Sequence, residues 1–213
     1  MKKLIASVLS LFCLAGYAAT ERPVVKMATG QLQGIVEHGM QAFKGIPFAA
    51  PPVGDLRWRP PQPALAWSGV RDAGKFGPAC VQPSIKNLST GLDLPGSEDC
   101  LHLNVFRPDS TDQKLPVMVW IHGGGMMVDA ARDPQFMPVS LVKNGVIVVT
   151  IDYRLGPFGF FATQELIDEA KAKGEPVGNY GTMDQIAALK WVKNNIAAFG
   201  GNPDNVTIFG QSA

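Results

Sequence analysis

VTIFGQSA, residues 206–213, is an apolar run that breaks into Gly-x-Ser-x. Val206 to Phe209 has the composition of a short strand buried on both faces, as in a parallel sheet. A strand that runs straight into Gly210-Gln211-Ser212-Ala213 forces the serine onto a sharp turn and lifts its hydroxyl above the sheet. Glycine flanks such a serine because a side chain there collides with the neighbouring strand and helix. Ser212 is therefore a candidate nucleophile. Gly-x-Ser-x arises often by chance, so the reading depends on what surrounds it.

Two further runs upstream have the same character. PVMVWIH (116–122) and GVIVVTIDYR (145–154) are continuous and apolar, as expected of strands covered on both faces. FMPVSLVKN (136–144) between them is the expected crossover helix, ended by Gly145. Helical patterns follow at 164–173 and 182–198, the second with Ile186, Leu189, Val192 and Ile196 at helical spacing. GGNPDN (200–205) reads as a turn before the last strand. Strand, helix, strand, helices, strand defines an α/β architecture.

The strand at 116–122 ends in His122-Gly123-Gly124-Gly125. Such sheets place their chemistry beyond the carboxyl ends of the strands. A triple glycine there lets backbone N–H groups turn inward to meet a developing negative charge. Taken alone it is also a flexible turn; beside a strand-borne serine it points to acyl transfer.

The region 23–105 is rich in Gly, Pro and short alternating stretches. GQLQGIVE (30–37) and QAFKGIPFA (41–49) read as strands around a turn at His38-Gly39. PPVGDLRWRPPQPALAW (51–67) is too rich in proline for helix or central strand and reads as an ordered loop. At the amino terminus, MKKLIASVLSLFCLAGYAA (1–19) has two lysines, a short apolar core and small residues near Ala18 and Ala19. That is the pattern of a cleaved export signal, with a buried helix as the alternative. The apolar run is shorter than the ~20 residues a membrane span needs.

The 213 residues carry 19 basic and 18 acidic side chains, a formal net charge of +1. Without Lys2 and Lys3 the balance is about −1, which gives no reason to expect nucleic acid as a partner. No stable membrane association is expected once the signal is removed. Residues 20–213 form one domain in this reading, large enough for a real core. Once Cys13 is removed with the signal, Cys80 and Cys100 remain; in an exported protein such a pair reads as a disulfide, with two buried thiols as the alternative. Their spacing resembles no metal site.

From about residue 29 onward the sequence resembles the type B carboxylesterases, the cholinesterase-like branch of the α/β-hydrolases. The resemblance rests on FKGIPFAAPPVGDLRWRPPQP (43–63), SEDCLHLNVFRP (97–108), WIHGGG (120–125), DYRLGPFGF (152–160), GNYGTMDQIAALKWVKNNIAAFGGNP (178–203) and VTIFGQSA (206–213). It implies an α/β-hydrolase fold, a mostly parallel central sheet with a small amino-terminal β meander. It also implies Ser212 as nucleophile, with the N–H groups of Gly124, Gly125 and Ala213 as the oxyanion hole. Cys80 and Cys100 match the family's first disulfide. Arg57 with Glu98 and Arg154 with Asp184 are implied as scaffold ion pairs. The implied reaction is hydrolysis of small or medium carboxylic esters, with no cofactor or metal; oligomeric state is not implied.

In this fold the acid and the histidine of the triad follow the serine in the chain. None of His38, His102 and His122 is a credible base: His38 falls in a turn, His102 in a strand, and His122 braces the glycine turn. The acid and base are thus expected beyond Ala213, and the isolated 213 residues are expected to be poorly folded and inactive. A catalytically dead binding member of the fold and an inactive short product remain as alternatives. Gln211 stands where the family commonly has glutamate. The loop between Cys80 and Cys100 holds no Trp, Tyr or Phe, which argues against a choline-ester specialist. Met126 and Met127 read equally as an adaptable acyl pocket or as core.

Overall fold

The computed structural model describes residues 22–83, 94, 96–110 and 112–213. The expected export segment lies outside the described residues, as does most of the loop between Cys80 and Cys100. Strands β1 (Val24–Met27), β2 (Gly30–Gln33), β3 (Ile35–Glu37) and β4 (Met40–Pro47) come first. β5 (Val70–Asp72), β6 (Ala79–Cys80), β7 (Gly96–Ser97) and β8 (His102–Pro108) follow. The remainder is β9 (Leu115–Ile121), α1 (Val139–Lys143), β10 (Ile147–Ile151), α2 (Gly156–Phe160), α3 (Gln164–Lys173), α4 (Tyr180–Asn195) and β11 (Gly201–Gly210).

A six-stranded sheet in the order β11-β9-β10-β8-β4-β3 forms the centre. Its amino-terminal strands are antiparallel, β3 to β4, β4 to β8 and β8 to β10, whereas β10, β9 and β11 run parallel. β1, β2 and β5 make a separate small sheet. The expected meander is the hairpin β3–β4, turned at His38 and Gly39, both with positive φ.

The apolar runs are explained by burial on both faces. Ile147, Val149 and Ile151 enter one core with Ala188, Trp191 and Val192 of α4. Val148 faces the other way, into a second cluster with Val142 of α1. The two connecting helices therefore cover opposite faces. β9 leads through α1 to β10 on one side, and the chain returns over α4 to β11 on the other side of β9. The connections diverge at β9, and the crevice at its carboxyl end is the switch point where such sheets place ligands.

Local signals explain most boundaries. Thr163 caps α3, its hydroxyl accepting the Leu166 N–H at 3.4 Å, and Gly174 closes the helix at φ +65°. α1 is only five residues long because Pro138 and Gly145 bracket it. The expected turn at 200–205 is corrected: strand β11 begins at Gly201 and absorbs the irregular stretch as a register shift before Val206. The pairing partner explains this, since Gly201 sits opposite Leu115 at the start of β9. A β-carbon there would stand 2.7 Å from Ile196 and 2.9 Å from Val117. The helix expected to run to residue 198 ends at Asn195 and tightens into a 3₁₀ turn, Ile196–Phe199.

Candidate active site

β9 and β11 end side by side, and each hands over to a glycine turn. Gly210 lies so near β9 that a β-carbon would meet the Ile121 carbonyl oxygen at 2.6 Å. Beyond it Ser212 is exposed and holds φ +57°. That left-handed conformation costs a non-glycine residue about 1–3 kcal/mol and persists only where the surroundings enforce it. The surroundings are close: a β-carbon on Gly123 would stand 3.1 Å from the Ser212 Cβ, and the neighbouring Met126 donates its N–H to the Ala213 oxygen at 3.1 Å and accepts the Gly156 N–H at 2.7 Å.

The glycine turn is similarly constrained. Gly124, Gly125, Met126 and Asp129 all have positive φ (+99°, +61°, +58° and +89°). The Gly124 carbonyl accepts from Met127 at 3.0 Å and from Val128 at 3.2 Å, so it points back into the turn. The N–H of Gly125, on the other side of that peptide plane, is directed away from it. Among the described residues, the N–H groups of Gly124, Gly125 and Ala213 donate to no protein acceptor. The residues expected to form an oxyanion hole thus lie in the two turns that meet where Gly123 packs on Ser212 and Met126 bonds to Ala213.

His122 supports the turn from beneath. Its ring is buried and stacks on Tyr153 at 4.6 Å. Nδ1 lies 2.9 Å from the Gly123 carbonyl oxygen. A carbonyl can only accept, so Nδ1 carries the proton and Nε2 the lone pair. The Tyr153 hydroxyl donates to the His122 carbonyl at 2.9 Å. Two successive carbonyls of the turn are therefore pinned.

Burial pulls the His122 imidazole down to about 4. Its Nε2 is 4.0 Å from Asp152 Oδ1, and burial pushes that carboxyl up to about 7 although it accepts the Ala131 N–H at 2.9 Å. A buried histidine with this proton affinity, its N–H committed to Gly123, is a brace and not a base. His102 is also buried, which lowers its pKa, and it packs its ring against Gly77.

The remaining expected pairs are in place. Cys80 and Cys100 form a disulfide. Arg57 grips both carboxylate oxygens of Glu98 at 2.5 Å, largely in solvent. Arg154 holds Asp184 through Nε and Nη2, both at 2.8 Å, in the interior. Burial pushes the Asp184 carboxyl up, while that guanidinium and the Arg154 N–H draw it back down. Among the described residues no cluster of His, Cys, Asp and Glu is arranged to hold a metal ion. Nor, among the described residues, is any helix long and apolar enough to cross a membrane.

A pocket of about 490 Å³ opens over Ser212, lined in part by Ile121, His122, Met126, Tyr153 and Gln185. Met126 and Met127 are 42% and 44% exposed, which places neither in the core. Tyr153 and Asp152 escaped sequence reasoning. Their only signal was the polar DYR at the end of a buried strand, which does not say what it supports.

A parallel strand ending in a strained serine, beside a strand ending in a glycine turn with free N–H groups, is the arrangement of the α/β-hydrolases. The comparisons agree. Residues 21–213 match the model of the carboxylesterase family, and the chain belongs to that family. It is 48% identical over 192 residues to the para-nitrobenzyl esterase of Bacillus subtilis, covering 89% of this chain and 38% of that protein. It is 46% identical to the fumonisin B1 esterase of Sphingopyxis macrogoltabida, covering 92% of this chain and 36% of that one. Among solved structures, a thermophilic para-nitrobenzyl esterase superposes with a TM-score of 0.81 at 47% identity, over 91% of this chain and 39% of that one. The chain thus spans well under half the length of these relatives.

Proposed function

We propose that this chain carries the nucleophile and the oxyanion-binding turn of a serine carboxylesterase. Ser212 attacks the carbonyl carbon of an ester, the alcohol leaves, and water then releases the acid from the acyl-enzyme. The N–H groups of Gly124, Gly125 and Ala213 receive the oxyanion; single donors of this kind contribute about 3 kcal/mol to such transition states elsewhere. The observation that carries this reading is the left-handed Ser212 packed against a glycine turn whose Gly124 and Gly125 N–H groups, like that of Ala213, are unengaged.

No histidine in the described residues can take the serine proton. The base and the acid that orients it are assigned to the part of such enzymes that this chain does not span. Small or medium esters are the proposed substrates, in keeping with the chain's likeness to the para-nitrobenzyl and fumonisin B1 esterases. The Cys80–Cys100 disulfide suits an oxidising compartment and supports export through residues 1–19.

The test is fluorophosphonate labelling of the full-length native protein, followed by mass analysis of the tagged peptide. Modification at Ser212 is expected. A folded, unlabelled protein would sink the proposal and favour a non-catalytic member of the fold.

A further inference from the structure

Gln82 lies two residues past Cys80, outside the glycine turn, yet its side-chain amide grips that turn at its far end. Oε1 accepts the Asp129 N–H at 2.8 Å, and Nε2 donates to the Asp129 carbonyl at 2.9 Å. Nε2 also reaches the Cys80 carbonyl at 3.1 Å. One side chain thus occupies both backbone groups of a residue with φ +89° and ties them to the cystine.

The grip is transmitted to the candidate oxyanion donors through one peptide plane. The N–H of Asp129 and the carbonyl of Val128 belong to the same rigid unit. With that N–H held by Gln82, the Val128 carbonyl is directed at Gly124, and its carbon would lie 2.8 Å from a β-carbon built there. Val128 also donates its own N–H to the Gly124 carbonyl at 3.2 Å. The Gly124–Gly125 peptide is thereby held by Val128, and the preceding Gly123–Gly124 peptide by the contact of its carbonyl with His122.

We propose that Gln82 is a positioning residue for the glycine turn: by holding Asp129 to the disulfide loop it fixes the direction of the Gly124 and Gly125 N–H groups. This rests on the reading of those groups as oxyanion donors. Gln82 touches no reacting atom, and its effect is on the transition state alone.

The experiment uses the full-length native protein and two variants. Q82M matches the shape and lacks all three hydrogen bonds. Q82N keeps the amide but is one methylene too short to reach both Asp129 groups, and it serves if Q82M does not accumulate. The expected result is a kcat lower by about tenfold to a hundredfold with KM within about twofold, the pattern of misplaced catalytic groups. Affinity for a trifluoromethyl ketone, which forms an oxyanion on the serine, should fall in the same proportion as kcat.

Combining Q82M with C80A/C100A should cost less in kcat than the product of the separate losses, because both act through one tether. Unchanged kcat and ketone affinity in a variant that is merely less heat-stable would overturn the proposal. So would multiplicative losses. If wild-type protein neither hydrolyses esters nor labels at Ser212, the underlying reading fails instead. In that case amide exchange at Asp129 still reports on the clamp: unaltered exchange in Q82M overturns it, and faster exchange upholds the tether.

Discussion

Gly123 and Ser212 approach so closely that a β-carbon on the glycine would stand 3.1 Å from the serine Cβ and would collide with the Gln211 carbonyl oxygen. The two turns are therefore packed backbone against backbone. G123A should destabilise by about 1–3 kcal/mol through overpacking. It should also displace Ser212 and slow fluorophosphonate labelling at least tenfold. Denaturant melts and labelling rates measured together check this; normal labelling in a stable G123A protein would show that the contact is loose.

The strain at Ser212 has its own signature. Both S212A and S212G remove the hydroxyl and should abolish hydrolysis, by roughly a millionfold on the precedent of triad deletions. They should differ in stability, since glycine adopts φ +57° freely and alanine does not. S212G is expected to be the more stable by about 1 kcal/mol. Equal melting curves would mean that no strain is stored at residue 212.

The buried His122–Asp152 neighbours give a pH prediction. The histidine falls from 6.5 to about 4 on folding, so the native state binds fewer protons than the unfolded one in that window. Its contribution to stability therefore grows as pH rises from about 4 to 6.5. The carboxyl rises from 3.8 to about 7, so here the native state binds more protons and the contribution shrinks as pH rises. The two slopes oppose and nearly cancel. D152N keeps an acceptor for the Ala131 N–H and removes one slope. Relative to wild type, its stability should climb by about 3 kcal/mol between pH 4 and 6.5, at 1.36 kcal/mol per unit. Denaturant melts across that range decide it, and a difference that does not vary with pH would refute it.

Arg154 and Asp184 are both buried, so the pair matters more when broken than when replaced. R154M leaves a carboxyl in the interior without its guanidinium and should cost about 3–5 kcal/mol. R154M/D184L should recover most of that loss. Soluble yield and melting temperature of the three proteins provide the check.

Much of this fold was legible because burial on both faces leaves a plain mark: 116–122 and 145–154 became β9 and β10, and the helix expected at 164–173 is α3. The adjacency of Ser212 and the glycine turn was legible because only small residues fit where two strand ends converge. β11 was misjudged at its start, since Gly-Gly-Asn-Pro-Asp-Asn has turn chemistry locally and joins the strand only because Gly201 pairs with Leu115 of β9, ahead of the register shift that ends at Val206. The supports of the site were invisible for the same reason. Tyr153, Asp152 and Gln82 act across 31, 21 and 47 residues of chain, on His122, Ala131 and Asp129. No local pattern records contacts at such range.

The chain order of the two strand ends sets a sequence of events during synthesis. At about 5–20 residues per second, the turn at Gly123-Gly124-Gly125 leaves the ribosome several seconds before Ser212. β11 can dock only against β9, because Gly210 packs on the end of that strand and Ser212 on Gly123 just beyond it. A nascent chain therefore exposes two of the three proposed donors first, and the serine arrives together with the third, the N–H of Ala213. Until that docking, the hydroxyl belongs to an ordinary relaxed residue with no special reactivity.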